Sequence, residues 1–101
     1  MGNAWSLVWY EGQWHEDMCQ QPIVSDNKFA VDMEDQEGCS LTLSTNSQDG
    51  VIYRGGYQYN QEGYPPGSAA FERYKSRRGD VFIGEWSDNT DKGKWIIQTW
   101  K

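Results

Sequence analysis

Hydrophobic and polar residues alternate along several short stretches of the chain, as they do in strands that bury one face. The clearest pair closes the sequence: a strand is predicted from Asp80 to Ser87 and another from Lys94 to Lys101, joined by loop 88–93. In that loop Asp88 can hydrogen-bond its own backbone, and Gly93 can take a positive φ. Because these strands hold three of the six tryptophans, this hairpin is predicted to be the centre of the fold.

A second hairpin is predicted earlier in the chain. Apolar residues occupy every second position from Lys28 to Glu34 and again from Ser40 to Thr45, with turn residues from Asp35 to Gly38 between the two strands. The acids predicted on its exposed side and at its turn are Asp32, Glu34 and Asp35. An acidic edge discourages pairing with strands of other chains.

Near the N-terminus, one stretch has apolar side chains at both odd and even positions, which lie on opposite faces of a strand. Within the stretch from Ala4 to His15, the odd positions include Trp5 and Trp9, and the even positions include Val8 and Trp14. A strand of this kind is covered on both sides, or it bends at a glycine and changes face. Residues 16–27 are predicted to form a loop.

The middle of the chain predicts one further strand and one ambiguous stretch. Gly50 to Tyr59 is predicted as a strand, and Asn60 to Gly67 as a loop stiffened by two prolines. Ser68 to Arg78 is predicted as a strand, because an extended segment there pairs directly with its neighbours. The alternative is a short helix that begins at Ser68 and ends before Gly79.

Together these elements predict an all-β fold, a small antiparallel meander closed into a barrel of about seven or eight strands. A chain of 101 residues is predicted to form one domain, residues 1–101. Aliphatic residues are sparse, whereas Trp, Tyr and Phe make up 15% of the chain. The core is therefore predicted to be built from aromatic rings.

An aromatic-x-Gly-x-aromatic pattern occurs three times, at Tyr10–Trp14, Tyr53–Tyr57 and Phe82–Trp86. In a strand, both rings project from one face and the glycine leaves a shallow slot between them. Phe82 to Gly93 also reads F-x-G-x-W-x-x-N-x-x-x-G, which resembles the MORN repeat locally. The unequal spacing of the three copies departs from a tandem array of that repeat.

The overall strand pattern resembles the calycin-like class of small antiparallel barrels, which includes lipocalin-like and avidin-like proteins. The segments that carry the likeness are Tyr10 to Trp14 and Asp80 to Trp86. The resemblance implies a barrel that binds something in its mouth or on its wall. It transfers no ligand-contacting residue to a position of this sequence.

Charge is distributed unevenly along the chain. The formal net charge is −6, and residues 1–50 carry nine acids against Lys28 alone. This balance argues against nucleic acid as a partner, because phosphate contacts require an excess of Lys and Arg. A basic protein partner, or a role of the charge in solubility alone, fits better. With no apolar run long enough to span a bilayer, a cytoplasmic protein is expected, off the membrane unless Gly2 of the M-G-x-x-x-S start is myristoylated.

The residues that could act in catalysis or bind a metal do not match the spacing of a known catalytic or metal-binding motif. His15 is the single histidine, with Cys19 four residues away, and a structural role is favoured for both. His15, Cys19 and Cys39 lack the paired spacing of a zinc site. The two cysteines are predicted as buried thiols, with a disulfide as the alternative. No enzymatic activity, metal or cofactor is therefore predicted.

The favoured function is a non-enzymatic binding module, an acidic protein of the inhibitor or immunity type that binds a protein partner. The alternative is a binder of a small ligand or oligosaccharide that uses aromatic residues in or on the barrel. Aromatic side chains near loops are common anchors at binding sites. The residues predicted to bind are Trp14, Tyr57, Tyr59, Tyr64, Trp86, Asp32, Glu34 and Asp35.

Overall fold

A computed structural model describes residues 3–20, 22–35 and 37–100, and the strands in these ranges form one antiparallel sheet. In chain order they are β1 (Asn3–Tyr10), β2 (Gln13–Cys19), β3 (Ile23–Val24), β4 (Lys28–Glu34), β5 (Ser40–Asn46), β6 (Ile52–Tyr59), β7 (Gly67–Lys75), β8 (Gly79–Ser87) and β9 (Lys92–Trp100). From β4 to β9, each strand pairs with the next one along the chain. Both hairpins expected from the sequence are present, and Lys101 lies outside the described residues.

The sheet closes into a barrel of eight strands with one short extra strand. Closure comes from the antiparallel pairing of β1 with β9 and from pairing of the last residues of β2 with β4, where Cys19 lies opposite Met33. The extra strand β3 continues the line of β2 along β4, with Ile23 opposite Ala30. The predicted all-β meander barrel is therefore confirmed, and closure leaves few unpaired strand edges.

Residues 68–75 lie in strand β7, so the helical alternative for Ser68 to Arg78 is wrong, and the strand ends three residues before the predicted end at Arg78. Strand β7 pairs with β6 and β8 along its length. Ala69 and Phe71 point into the core, with 4% and 1% of their surface exposed, and exposed residues lie between and beside them. In the described ranges there is no helix that could cross a membrane.

The N-terminal stretch forms a hairpin, whereas a single strand to His15 followed by a loop was expected. Glu11 and Gly12 both have positive φ, 50° and 82°, which suits a tight two-residue hairpin turn. Strand β2 was missed because the residues it points inward, His15, Asp17 and Cys19, are not the aliphatic residues that mark a buried face.

The interior is filled by aromatic rings, as the composition predicted. Phe29 and Phe82 stack with their ring centroids 3.7 Å apart and their planes 4° from parallel. Phe71 meets Phe29 edge-on, and Tyr53 meets Phe82 in the same way. All four rings are at most 1% exposed, so they fill the interior of the barrel at this level and exclude solvent from it.

Gly93 has a different role from the one predicted for it. It does not have the positive φ expected of a turn glycine, and it lies inside β9. A Cβ atom at this position would overlap the carbonyl oxygen of Trp9 and the indole of Trp86. Gly93 therefore lets β1 and the Trp86 ring approach closely, and the Trp86 Nε1 donates to the Trp9 carbonyl at 3.1 Å.

One buried hydrogen bond gives a first prediction. Trp95 is 3% exposed, and its Nε1 donates to the Oγ of the fully buried Ser6 at 2.8 Å. Ser6→Ala leaves the indole N–H unpaired, so we expect the free energy of unfolding to fall by about 1–3 kcal/mol. Urea unfolding would measure this, with the exposed Ser40→Ala as control. An equal effect of the two substitutions would contradict the prediction.

Candidate functional site

The outer surface of the barrel is divided into a polar half and an apolar half. On β4, β5 and β6 the outward side chains are mainly polar, among them Asp32, Thr42, Asn46 and Gln58. On β1, β2, β7, β8 and β9 many are apolar, and we call this set the apolar wall. Its members are Trp5, Leu7, Trp9, Trp14, Met18, Tyr74, Val81, Ile83, Ile96 and Trp100.

The centre of the wall is continuous because several of its members are direct cross-strand neighbours, whereas Gln98 separates Trp5 from Val81. Leu7 lies opposite Ile96, which lies opposite Ile83, so one aliphatic row crosses β1, β9 and β8. Trp9 lies opposite Trp14, and their rings meet edge-on at 5.3 Å. An exposed apolar area of this extent marks an interaction surface more often than a scattered apolar side chain does.

Several members of the wall are well exposed to solvent. The exposed fraction is 78% for Met18, 50% for Tyr74, 46% for Ile83, 42% for Trp14 and 37% for Trp100. The tryptophans Trp5 and Trp9 are half-buried. The wall therefore contains exposed apolar side chains that a partner could cover, next to half-buried tryptophans that are already packed against the sheet. Both kinds of residue are common at protein interfaces.

Carboxylates flank the aliphatic row at both ends. Glu16 lies opposite Leu7 on β2, and Glu72 lies opposite Ile83 on β7; both are exposed. Toward the loop that joins β8 to β9, Lys94 and Glu85 lie opposite each other. Both ends of the central aliphatic row thus carry a negative charge, which bears on the kind of surface that can cover this row.

Beside the wall, a shallow groove of about 640 Å³ crosses β6 to β9. One cross-strand row runs from Arg54 through Ala70 and Glu85 to Lys94, and a second runs from Ser68 through Ser87 to Lys92. Trp9 borders the groove as well. Within the described part of the chain, no ion pair within 4.0 Å involves its three cations.

The end of the barrel that carries the β1–β2, β4–β5, β6–β7 and β8–β9 loops is aromatic and acidic, and we call it the mouth. Tyr59 and Tyr64 stack there at 4.9 Å, and the Cys39 Sγ donates to the Tyr64 hydroxyl at 3.5 Å. Tyr57 and Trp86 lie deeper, each 7% exposed. The charged residues of the four loops are Glu11, Asp35, Glu37, Glu62, Asp88 and Asp91.

Titrating groups of β2 point into the mouth. Burial, reinforced by the charge of Asp35 and opposed by His15, raises the pKa of Asp17 to about 7. Burial, with the charge of Asp17, raises the pKa of the Cys19 thiol to about 12. Burial also raises the pKa of Tyr59 to about 12, with Asp35 and Asp17 adding to the effect. The Cys19 thiol thus stays protonated at neutral pH, unlike a nucleophilic cysteine.

The opposite end is closed by a charged cluster around Arg73. Its Nη2 donates to Asp80 Oδ2 at 2.8 Å, and its Nη1 contacts Asp26 Oδ1 at 3.2 Å. Nη1 also donates to the Tyr53 hydroxyl, which donates in turn to the Ser25 carbonyl. Although burial opposes the charged form, Asp80 and Tyr53 hold the pKa of Arg73 above its ordinary value. The cluster seals this end of the core.

The eight residues predicted to bind lie in three separate places. Five are at or below the mouth, namely Tyr57, Tyr59, Tyr64, Trp86 and Asp35. Asp32 and Glu34 are exposed on the polar half, where Asp32 accepts a hydrogen bond from Thr42. Only Trp14 lies on the apolar wall. The structure thus brings no single eight-residue site together.

Sequence reasoning missed most of the apolar wall. The signal in the sequence was that β1 has large apolar residues at both odd and even positions. The inward residues Ser6 and Val8 contact the core. The outward residues are Trp5, Leu7 and Trp9. Of the two alternatives predicted for this stretch, a bend at Gly12 is present as the turn between β1 and β2. Cover on both sides is found only on the inner side, where Val8 packs against the core. On the outer side, the half-buried tryptophans are left facing solvent.

The cysteines are free thiols, with Cys39 buried and Cys19 half-buried, so the disulfide alternative is wrong. Among the described residues, no group of three or more His, Cys, Asp or Glu side chains has the arrangement of a metal site. The start of the N-myristoylation pattern, Met1 and Gly2, lies outside the described residues.

Comparison with known proteins supports the fold and leaves the function open. No protein-family model matches the chain, and neither does any curated protein. Among solved structures, a redesigned β-barrel is similar, with a TM-score of 0.60 over 98% of this chain and 89% of that chain. The two sequences are 15% identical, so the likeness concerns the barrel fold alone.

Proposed function

We propose that this chain is a non-enzymatic binding module that docks a protein partner through the apolar wall. The observation that carries the proposal is the set of outward apolar side chains centred on β1 and β9, four of which are tryptophans. Tryptophan side chains that a partner covers are among the residues that contribute most to affinity at protein interfaces. The wall crosses four inter-strand spacings, roughly 19 Å, which is wide enough for a protein surface.

The two acids that flank the central row of the wall indicate the chemistry of the partner. Glu16 and Glu72 lie at opposite ends of the central aliphatic row. A second copy of this chain would bring like charges together around a shared apolar centre, whereas a partner with a basic rim would pair with them. We therefore propose a partner that presents an apolar patch bordered by Lys and Arg, as expected of an acidic inhibitor or immunity-type protein.

Membership of the calycin-like class belongs to the same proposal. The up-and-down order of the eight strands is compatible with it. The barrel interior is filled by Phe29, Phe82 and their neighbours, so a ligand held deep in the barrel is disfavoured. This leaves the outer surface as the better place for binding.

Site-specific photo-crosslinking tests the proposed partner surface. A benzophenone amino acid is incorporated in place of Met18 on the apolar wall, and in a second variant in place of Asn46 on the polar half; both residues are exposed. After irradiation in the cells that make the protein, we expect a discrete adduct from position 18 and none from position 46. Mass spectrometry then identifies the partner, and its surface should carry a basic rim.

A charge substitution within the wall sharpens this test. Ile83→Glu places a carboxylate in the central row and is expected to reduce the adduct from position 18 at least tenfold. Gln58→Glu adds the same charge to the polar half and should leave the yield unchanged. Equal adducts from positions 18 and 46, an adduct with the mass of two copies of this chain, or no adduct at all would contradict the proposal.

A further inference from the structure

The groove beside the apolar wall gathers three cations on the surface of an acidic protein. Arg54, Lys92 and Lys94 line it together with one acid, Glu85. The nearest loop acid beyond β8 is Asp88, whose Oδ1 accepts hydrogen bonds from the backbone of Thr90 and Asp91 and is thereby held by its own loop. Among the described residues, no carboxylate lies within 4.0 Å of the charged atoms of these three cations. The groove is therefore suited to an anionic ligand.

The shape of the groove favours a flat ligand. On β7 the floor of the groove is formed by two small residues, Ala70 and Ser68, which lie between Arg54 on β6 and the neighbouring strand β8. Trp9 lies at one border and presents a half-buried indole. A shallow floor beside an aromatic ring suits a ring-shaped, partly apolar group lying against it.

The order of charges across the groove narrows the class of ligand. Along the row from β6 to β9, a cation (Arg54) is followed by a carboxylate (Glu85) and by a second cation (Lys94). The two cations are three strand spacings apart, roughly 14 Å between backbone positions. A complementary ligand carries two anionic groups at about this separation, with hydrogen-bond donors between them that can reach Glu85.

We propose that this groove binds an acidic oligosaccharide, in which carboxylates on sugar rings are separated by hydroxyl groups. Arg54 and Lys94 pair with two sugar carboxylates, Glu85 accepts hydrogen bonds from hydroxyls between them, and a sugar ring lies against the Trp9 border. Nucleic acid fits less well, because its regular phosphates would also lie over Glu85 and the chain as a whole is negative. This site shares Trp9 with the proposed partner surface, whereas its charged residues lie beside that surface, and the experiments below test it in the absence of a protein partner.

Calorimetric titration of the full chain tests the inference with a defined probe. The probe is a hyaluronan tetrasaccharide, in which carboxylate-bearing sugar rings alternate with neutral rings, and its matched control is the same tetrasaccharide with its carboxylates methyl-esterified. We expect the acid form to bind at least tenfold more tightly than the ester. Binding should also weaken as salt is raised from 50 to 500 mM, since ions screen exposed charge pairs.

Variants then place the site in the groove. Arg54→Gln and Lys94→Gln are each expected to weaken binding of the acid form at least tenfold, and Ala70→Tyr should block it by filling the floor. Arg77→Gln removes a cation from an exposed loop outside the groove and should have no effect. Circular dichroism confirms that each variant is folded.

Three results would overturn the proposal. The first is equal binding of acid and ester, or no binding of either. The second is equal weakening by Arg77→Gln and Arg54→Gln, which would indicate attraction by overall charge. The third is tighter binding of a peptide of alternating Asp and Ser than of the tetrasaccharide, which would identify the groove as a peptide site.

Discussion

Replacing Arg73 with methionine is expected to lower the free energy of unfolding by about 3–5 kcal/mol, because it leaves a buried carboxylate without its partner. The side chains of Arg73 and Asp80 are only 8% and 4% exposed. Asp80 Oδ2 accepts from both Nε and Nη2 of Arg73, while Oδ1 accepts no hydrogen bond from the described residues. Asp80 therefore depends on the guanidinium for compensation of its charge.

Urea unfolding at pH 7 would measure the effect of Arg73→Met. Arg77→Met, in the exposed loop between β7 and β8, is the matched control and should cost less than about 0.5 kcal/mol. Adding Asp80→Asn to Arg73→Met removes the stranded charge and is expected to restore about half of the loss or more. A double variant no more stable than Arg73→Met would show that lost packing, not the uncompensated charge, explains the cost.

Asp17→Asn is expected to stabilise the protein at pH 8 by about 2–4 kcal/mol and to have little effect at pH 4. The pKa of Asp17 is raised from 3.8 to about 7 in the folded chain. Below pH 4 the carboxyl is protonated in both folded and unfolded states and carries no penalty. Between pH 4 and 7 the unfolded chain releases the proton first, so wild-type stability falls as pH rises, and the full penalty applies above pH 7.

The comparison requires unfolding curves of wild type and Asp17→Asn at pH 4, 6 and 8. The difference between them should grow with pH and level off above pH 7. Asp32→Asn is the control, because Asp32 is exposed on the polar half and its substitution should leave no such trend. A constant difference at all three pH values would mean that ionisation of Asp17 carries no folding cost.

Alternation of apolar residues predicted most of the barrel. Phe29, Val31 and Met33 all point inward as expected, with at most 3% of their surface exposed. The same criterion failed for β2, since a strand that directs His15 and Asp17 inward has no apolar stripe. Polar residues inside a barrel leave no mark on hydrophobic periodicity, so β2 could be located only from the Glu11–Gly12 turn and the strands around it.

The binding surface was less predictable than the fold. Apolar residues on both faces of β1 indicated that something covers the outer face of this strand as well as the inner face. The sequence alone does not say whether that cover comes from the same chain or from a partner. Of the aromatic residues predicted to bind, Trp14 is exposed, whereas Tyr57 and Trp86 are buried. Which strands become neighbours depends on closure of β1 on β9, a contact between the two ends of the chain. The apolar wall exists only after that closure.

Oxidation of Met18 tests the central claim, that the apolar wall is open in the isolated chain and covered by a partner in the cell. Met18 is 78% exposed, and Met33 is 3% exposed and serves as an internal control. After brief hydrogen peroxide treatment and mass spectrometry, the account predicts fast oxidation of Met18 and little of Met33 in the purified protein. In a fresh extract of the producing cells, Met18 should be oxidised at least fivefold more slowly. Equal oxidation rates of Met18 in the two samples, after correction with an added methionine peptide, would contradict the account.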